Sequence, residues 1–308
     1  MTDNIKYILE QNIALLSKLD KAIYYGRRQL HDIALGIVAD SMGSIRHTIE
    51  AIITDREYFN LVSTDSVLEM LSSILDAYKT EDYILLIDLL ELQLVNFLCG
   101  VQELIIGREE LAFDEERFEE NLKLLKSNGS GLEKLSGQAF DPQVLLNEGF
   151  RVEFTSSGLM TLAAKNEDAS FYFHTNASIP SEAFILANNW YRKDVKRYNI
   201  YGLGFGYHIL ELLSLSDQYE IMVYEADLKV IMLACAFTDL KDIFDNPRVR
   251  LIYDPDFNKL IHMLESLSED EAFYVHYPSY QNIRNEEGRR LLETYVSWPS
   301  SHLSDNKI

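Results

Sequence analysis

Three glycines and a carboxylate carry the clearest chemical signal in this sequence. Gly202, Gly204 and Gly206 stand in Gly202-Leu203-Gly204-Phe205-Gly206, between the apolar run Arg197–Tyr201 and a helix-like run from Tyr207. Glycines so spaced let the backbone turn sharply and approach a ligand closely. A helix opening there aims free N–H groups and a partial positive charge at the same place. Glu225 ends the next apolar run, 19 residues past Gly206 (225 − 206), where a carboxylate accepts hydrogen bonds from ribose hydroxyls. The pattern predicts a nucleoside site made by Gly202, Gly204, Phe205, Gly206 and Glu225. Asp254 follows a third strand-like run and would read a base edge or second hydroxyl. His276 and Tyr277 follow a fourth and stand as candidate acid–base residues.

The spacing argues against a dinucleotide, whose fingerprint wants a small residue where Tyr207 stands. G-x-G-x-G with an acid on the second strand is closer to the S-adenosylmethionine pattern of class I methyltransferases, although Tyr201 occupies the place before the glycines where those enzymes usually carry an acid. The expected ligand is therefore S-adenosylmethionine or a nucleotide or nucleotide-sugar, and any reaction a methyl or glycosyl transfer. Asp254-Pro255-Asp256 also matches the Asp-x-Asp of metal-dependent glycosyltransferases, a three-residue pattern that chance supplies often. His174 precedes a helix start near Pro180 and is a further candidate for the same crevice. Seven histidines show no H-x-x-x-H or Cys/His spacing, so no metal site is expected. Neither a P-loop nor a G-x-S-x-G is present.

The elements that must position these residues are legible from periodicity. Residues 1–112 read as helices: Ile5 to Leu19, Ile33 to Ile53, a third from a capping-box pattern at Ser66–Glu69, and an apolar run Tyr83–Ile106 suited to the centre of a bundle. Asp88, Glu91 and Glu103 within that run mark it as a core helix and not a membrane span. Asn128-Gly129-Ser130-Gly131 is a flexible break, after a lead-in helix Glu115–Lys126. From Arg151 a meander of three short strands leads to a helix near Pro180–Tyr191, and then strands and helices alternate to Tyr295. Such alternation predicts a Rossmann-like, doubly wound parallel sheet over residues 113–308, preceded by an all-α bundle over 1–112.

Composition narrows the partners. The net charge of -21 repels phosphate backbones and anionic lipid, so neither nucleic acid nor a membrane surface is expected. Cys99 and Cys235 read as buried reduced thiols, and the first residues lack a signal-peptide pattern, so a cytoplasmic protein is expected.

From about Phe118 to Ile283 the sequence resembles the N-terminal Rossmann-like region of the motility accessory factor family, bacterial proteins tied to flagellin glycosylation. The matching residues are Glu120-Asn121-Leu122, His174-Thr175, Glu182-Ala183, Tyr201 to His208, Glu211-Leu212-Leu213, Val223-Tyr224-Glu225 and Asp245 to Val249. The G-L-G-x-G-Y-H element is the most specific. The resemblance implies the fold and a surface-glycosylation setting; the family's glycine-proline-serine-leucine turn is absent. Three readings follow: an accessory nucleoside-binding protein, an S-adenosylmethionine-dependent methyltransferase with His276 and Tyr277 beside the acceptor, and a non-catalytic module whose helical part binds a protein partner.

Overall fold

The computed structural model describes residues 2–109, 113–128, 132, 140–165 and 170–296. By its internal contacts the chain divides into two compact units. The first holds residues 1–111 together with 154–159 and 176–182; the second holds the remainder. The boundary expected near residue 112 lies outside the described residues, as does Gly129-Ser130-Gly131.

The first unit is helical: α1 (Asp3–Arg27), α2 (His31–Thr54), α3 (Thr64–Lys79), α4 (Tyr83–Leu89), a π-helical segment Leu90–Val95 and α5 (Asn96–Arg108). Its core joins Leu15, Leu19, Val38, Ile45, Ile74, Leu90 and Leu94. The capping box expected at Ser66 lies one turn too late. Ser63 is the N-cap, and its hydroxyl accepts from the Ser66 N–H at 3.4 Å.

The apolar run 83–108 departs from expectation. It is buried chiefly along one stripe, Leu86, Leu90, Leu94, Leu98, Val101 and Ile105, with Ile87 and Leu89 buried beside it, while Ile84, Leu85 and Leu92 face solvent. By length and composition alone Tyr83–Arg108 could cross a membrane, and 39% of its most apolar window is buried inside the protein. Neighbours therefore cover one side of it rather than every face. The four-residue steps of that stripe explain the π segment. In a 3.6-residue helix each such step drifts about 40° around the axis, and a wider i→i+5 turn returns the stripe toward the core.

Two polar side chains are built into this helical core. Asn12 Nδ2 donates to Gln102 Oε1 at 3.3 Å, and Gln102 Nε2 donates to the carbonyls of Leu9 and Ser157. Gly158, at φ +87°, leaves room for that amide, because a Cβ there would sit 2.5 Å from Gln102 Nε2.

The second unit opens with α6 (Glu115–Asn128) and α7 (Pro142–Leu146). A three-stranded sheet follows: β1 (Phe150–Phe154), β2 (Met160–Lys165) and β3 (Ser170–Tyr172), with β2 and β3 antiparallel. After α8 (Ile179–Trp190) come β4 (Arg197–Tyr201), α9 (Tyr207–Leu215), β5 (Glu220–Glu225), α10 (Leu228–Phe237), α11 (Lys241–Phe244) and β6 (Val249–Tyr253). The chain then runs through α12 (Asn258–Glu265), β7 (Glu271–Val275), α13 (Tyr277–Gln281) and α14 (Glu286–Glu293). These last four strands form one parallel sheet in the order β6-β5-β4-β7. The protein is thus mixed α/β, with N-terminal helices before a four-stranded parallel sheet.

β4 is a central strand, and all of it but Arg197 is buried. Arg197 sits at its amino end and bridges Glu220 on β5 and Glu271 on β7, at 3.0 and 2.8 Å. Asn121 fastens α6 to the loop after α10: its Nδ2 donates to the Cys235 and Thr238 carbonyls, and its Oδ1 accepts from the Leu240 N–H. A buried side-chain amide bonded in this way is a clamp, which accounts for this residue without a ligand. Cys235 is buried as expected and Cys99 only half-buried; both are free.

Candidate functional site

The crossover order of the parallel sheet brings the carboxyl ends of β4, β5 and β7 together, and the glycine turn lies among them. Gly202, Gly204 and Gly206 have φ of +107°, +49° and +81°, the left-handed region expected of glycine. The turn is not an open cradle, and the expected ligand contacts over it are corrected here. A Cβ on Gly202 would lie 2.4 Å from Ser279, and one on Gly204 would lie 2.7 Å from His174 Nε2. On Gly206 it would meet Ile243 at 2.5 Å. Leu203 and Phe205 are fully buried. The glycines bring the backbone close to the protein's own side chains. Tyr207, large where a dinucleotide fingerprint is small, is also buried and donates its hydroxyl to the Met160 carbonyl at 2.9 Å.

Glu225 faces this turn from β5. Its Oε2 accepts from the Leu203 N–H at 3.0 Å, and its Oε1 accepts from the N–H groups of Ala226 and Asp227, each at 3.0 Å. A carboxylate so occupied, and only 2% exposed, holds the turn to β5 and offers no edge to a ribose. Burial raises its pKa to about 7, against the three amides that favour the anion. Asp254 has a parallel role just after β6: its Oδ2 accepts from the Leu260 N–H at 2.9 Å and closes the loop into α12. Asp256, its partner in the Asp-x-Asp pattern, is exposed.

The chemistry that sequence spacing missed is a cluster of three histidines. His174 follows β3, His208 lies in the first turn of α9 and His276 follows β7; all three are buried. One ring nitrogen from each can be chosen so that the three lie within 4.8 Å of one another. The rings of His208 and His276 stack with centroids 4.4 Å apart and planes 9° apart. His174 Nε2 accepts from the Phe205 N–H at 3.0 Å, and His276 Nδ1 meets the Ser279 hydroxyl at 2.8 Å. His208 Nε2 lies 3.2 Å from the Gly202 carbonyl, which can only accept, so the proton sits on Nε2 and Nδ1 carries a lone pair. Nothing among the described residues bonds that Nδ1. Burial, and then the neighbouring His174, lower the His208 pKa to about 3. Burial and the other two rings hold His276 well below its usual value. His276, expected as an acid–base residue, is shut off from solvent. Tyr277, half-buried at the start of α13, accepts from Gln281 Nε2 at 3.4 Å.

Beside the same strand ends, a cavity of about 270 Å³ is lined by Tyr201, Ala226, Asp227, Lys229, Pro255, Phe257, Asn282, Ile283, Arg284 and Asn285. None of the expected ligand-binding or catalytic residues lines it. The stacked rings of Tyr201 and Phe257, 5.7 Å apart, lie at its floor and are only 2% and 3% exposed. Phe257 holds an unusual left-handed φ of +58°, and its ring packs where Gly288 leaves space. Asp227 offers polar edges there: Oδ1 caps α10 through the Lys229 N–H, and Oδ2 accepts from Asn282 Nδ2 at 2.8 Å. Lys229 pairs with Glu148, and Arg284 is exposed at the rim. Sequence reasoning missed Asp227, Phe257 and Asn282 because each reads as a cap, a core ring or a turn residue. No protein-family model, no curated protein and no solved structure matches this chain.

Proposed function

We propose that the second unit is a Rossmann-like, doubly wound module that binds a nucleoside-containing small molecule, with S-adenosylmethionine and nucleotide-sugars as the leading ligands. Its setting, on the resemblance to motility accessory factors, is flagellin or cell-surface glycosylation in a bacterial cytoplasm. One observation carries the reading: the cavity beside the carboxyl ends of β4, β5 and β6 combines a floor of two largely buried aromatic rings, a carboxylate, the Lys229 side chain paired with Glu148, and the exposed Arg284. Ligands of open parallel sheets bind at that edge. Tyr201 and Phe257 suit a base, Asp227 suits ribose hydroxyls, and Lys229 with Arg284 suits an anionic tail. About 270 Å³ is small beside the several hundred Å³ of typical ligand sites, which favours a nucleoside over a dinucleotide. Glu225 and the glycines then act by holding β4 and β5 in place rather than by touching ligand.

Calorimetry of the full chain with S-adenosylmethionine, CMP, a CMP-sugar and other nucleotides tests the reading. One of them is expected to bind, and Asp227→Asn, which keeps the helix cap but loses the charge, is expected to weaken it about tenfold, roughly 1.4 kcal/mol. Absence of binding by every one of these ligands sinks it. A methyltransferase would in addition release S-adenosylhomocysteine when given an acceptor.

An apolar groove in the first unit favours a second reading, a protein-interaction module. Leu61, Val62, Val67, Met70, Phe97 and Leu104 line a groove of about 720 Å³, and Leu61 at its edge is 79% exposed.

A further inference from the structure

We propose that His174, His208 and His276 form a binding site for one divalent transition-metal ion of the zinc type. The claim is independent of the nucleoside cavity, whose lining includes none of the three.

Three features point the same way. First, the donors are already gathered: the three nitrogens lie within 4.8 Å of one another, although the residues come from three separate segments. A tetrahedral ion with bonds of about 2.0–2.1 Å brings nitrogens to roughly 3.3 Å apart, so the nitrogens must draw together and the stacked His208 and His276 rings must turn out of parallel to aim both lone pairs at one ion. Secondly, the rings are held as ligand rings are held. His208 donates Nε2–H to a backbone carbonyl, the outer bond that fixes the tautomer of metal-binding histidines, and its Nδ1 lone pair is buried without a partner. His276 is oriented by the Ser279 hydroxyl. Thirdly, the backbone makes room: only a glycine at 204 lets His174 Nε2 and His276 Cε1 lie so near the main chain.

Three buried imidazoles face one another, and one lone pair has nothing to accept from. Metal uptake exchanges the Phe205 N–H bond to His174, and the contact of His276 with the Phe173 carbonyl, for coordinate bonds. Nitrogen-only donors without thiolate suit Zn²⁺, Cu²⁺, Ni²⁺ or Co²⁺ rather than Mg²⁺ or Ca²⁺. Three protein ligands leave a fourth position for water or an anion. The ion would tie the end of β3, the start of α9 and the end of β7 to the glycine turn.

The test uses the full chain, purified without a histidine tag, stripped with chelator and loaded with Zn²⁺ or Co²⁺. After desalting, one ion per chain is expected by elemental analysis, with the intense visible band of four-coordinate Co²⁺ and a rise in melting temperature. His208→Gln and His276→Gln are each expected to abolish stoichiometric binding, whereas the exposed His262→Gln keeps it. A wild-type chain that retains no ion at micromolar metal overturns the proposal, as does full stoichiometry in both buried variants. Should those variants fail to fold, X-ray absorption on the wild-type zinc form decides: three imidazole nitrogens support the site, and any other protein donor set overturns it.

Discussion

A Gly202→Ala chain is expected to lose about 4 kcal/mol of stability, a large fraction of the roughly 5–15 kcal/mol that holds an ordinary domain folded. Two costs combine. At φ +107° an L-residue is strained by on the order of 1–3 kcal/mol. The new methyl would also sit 2.4 Å from Ser279 Cβ and 2.9 Å from His276 Cβ, atoms near the main chain that cannot swing aside. Overpacking of that kind costs roughly 1–3 kcal/mol more. Gly100→Ala is the control: it lies within α5 with nothing within 4 Å of the added Cβ, so it is expected to stabilise by about 0.5–1 kcal/mol. Urea titration of both variants checks the pair. Equal small effects would mean that the glycine turn relaxes freely and is not held by the histidine cluster.

The second large effect concerns pH. Glu225 titrates near 4.5 when unfolded and near 7 when folded. Between those values the folded chain keeps a proton that the unfolded chain has released, so the unfolded state binds fewer protons and stability falls as pH rises. The contribution is fully present below about pH 4.5 and is lost as pH climbs through 7, at up to roughly 1.4 kcal/mol per unit and about 3 kcal/mol in total. Glu225→Gln removes this titration. It also loses an acceptor for the Leu203, Ala226 or Asp227 N–H, a fixed penalty that does not vary with pH. The stability difference between wild type and the Glu225→Gln chain, measured by urea unfolding from pH 4.5 to 8, should therefore shift by about 3 kcal/mol in favour of the variant. A pH-independent difference would place the Glu225 pKa at its ordinary value. Differencing the two proteins cancels the histidines, which titrate in both.

Much of the architecture is legible in the sequence because its elements announce themselves locally. β4 spans the expected Arg197–Tyr201 and α9 opens at Tyr207 as expected, since each is a clean apolar run beside the glycine turn. The short helices α11 and α13 are not legible, because four or five residues carry no periodicity. The apolar run 83–108 misleads for a different reason. Hydrophobicity all round suggests full burial, but only packing decides which side is covered, and Ile84 and Leu92 remain in solvent. The glycine turn is plain in the sequence as backbone, and its reading as a cradle fails. Glycine permits close approach without saying what approaches, and here it is Ser279, His174 and Ile243. The histidine cluster is legible only in part: His174 and His276 are expected at one crevice, but His208 and the gathering of all three are not, for a topological reason. Its members are 34 and 68 residues apart along the chain (174 to 208, 208 to 276), and only the β4–β7 crossover brings the last beside the others.

That crossover also orders the assembly of the sheet. β4 meets β5 across 23 residues (Arg197 to Glu220) and β5 meets β6 across 28 (Ile221 to Val249), whereas β4 meets β7 across 74 (Arg197 to Glu271). Closing the longest of these loops costs about 1 kcal/mol more in chain entropy than closing the shortest, so β7 is the strand whose docking waits for the rest. Until it docks, the glycine turn lacks Ser279 and His276, and β4 has a bare edge. Destabilising changes in β7 and α13 then hasten unfolding and leave the folding limb of a chevron nearly untouched.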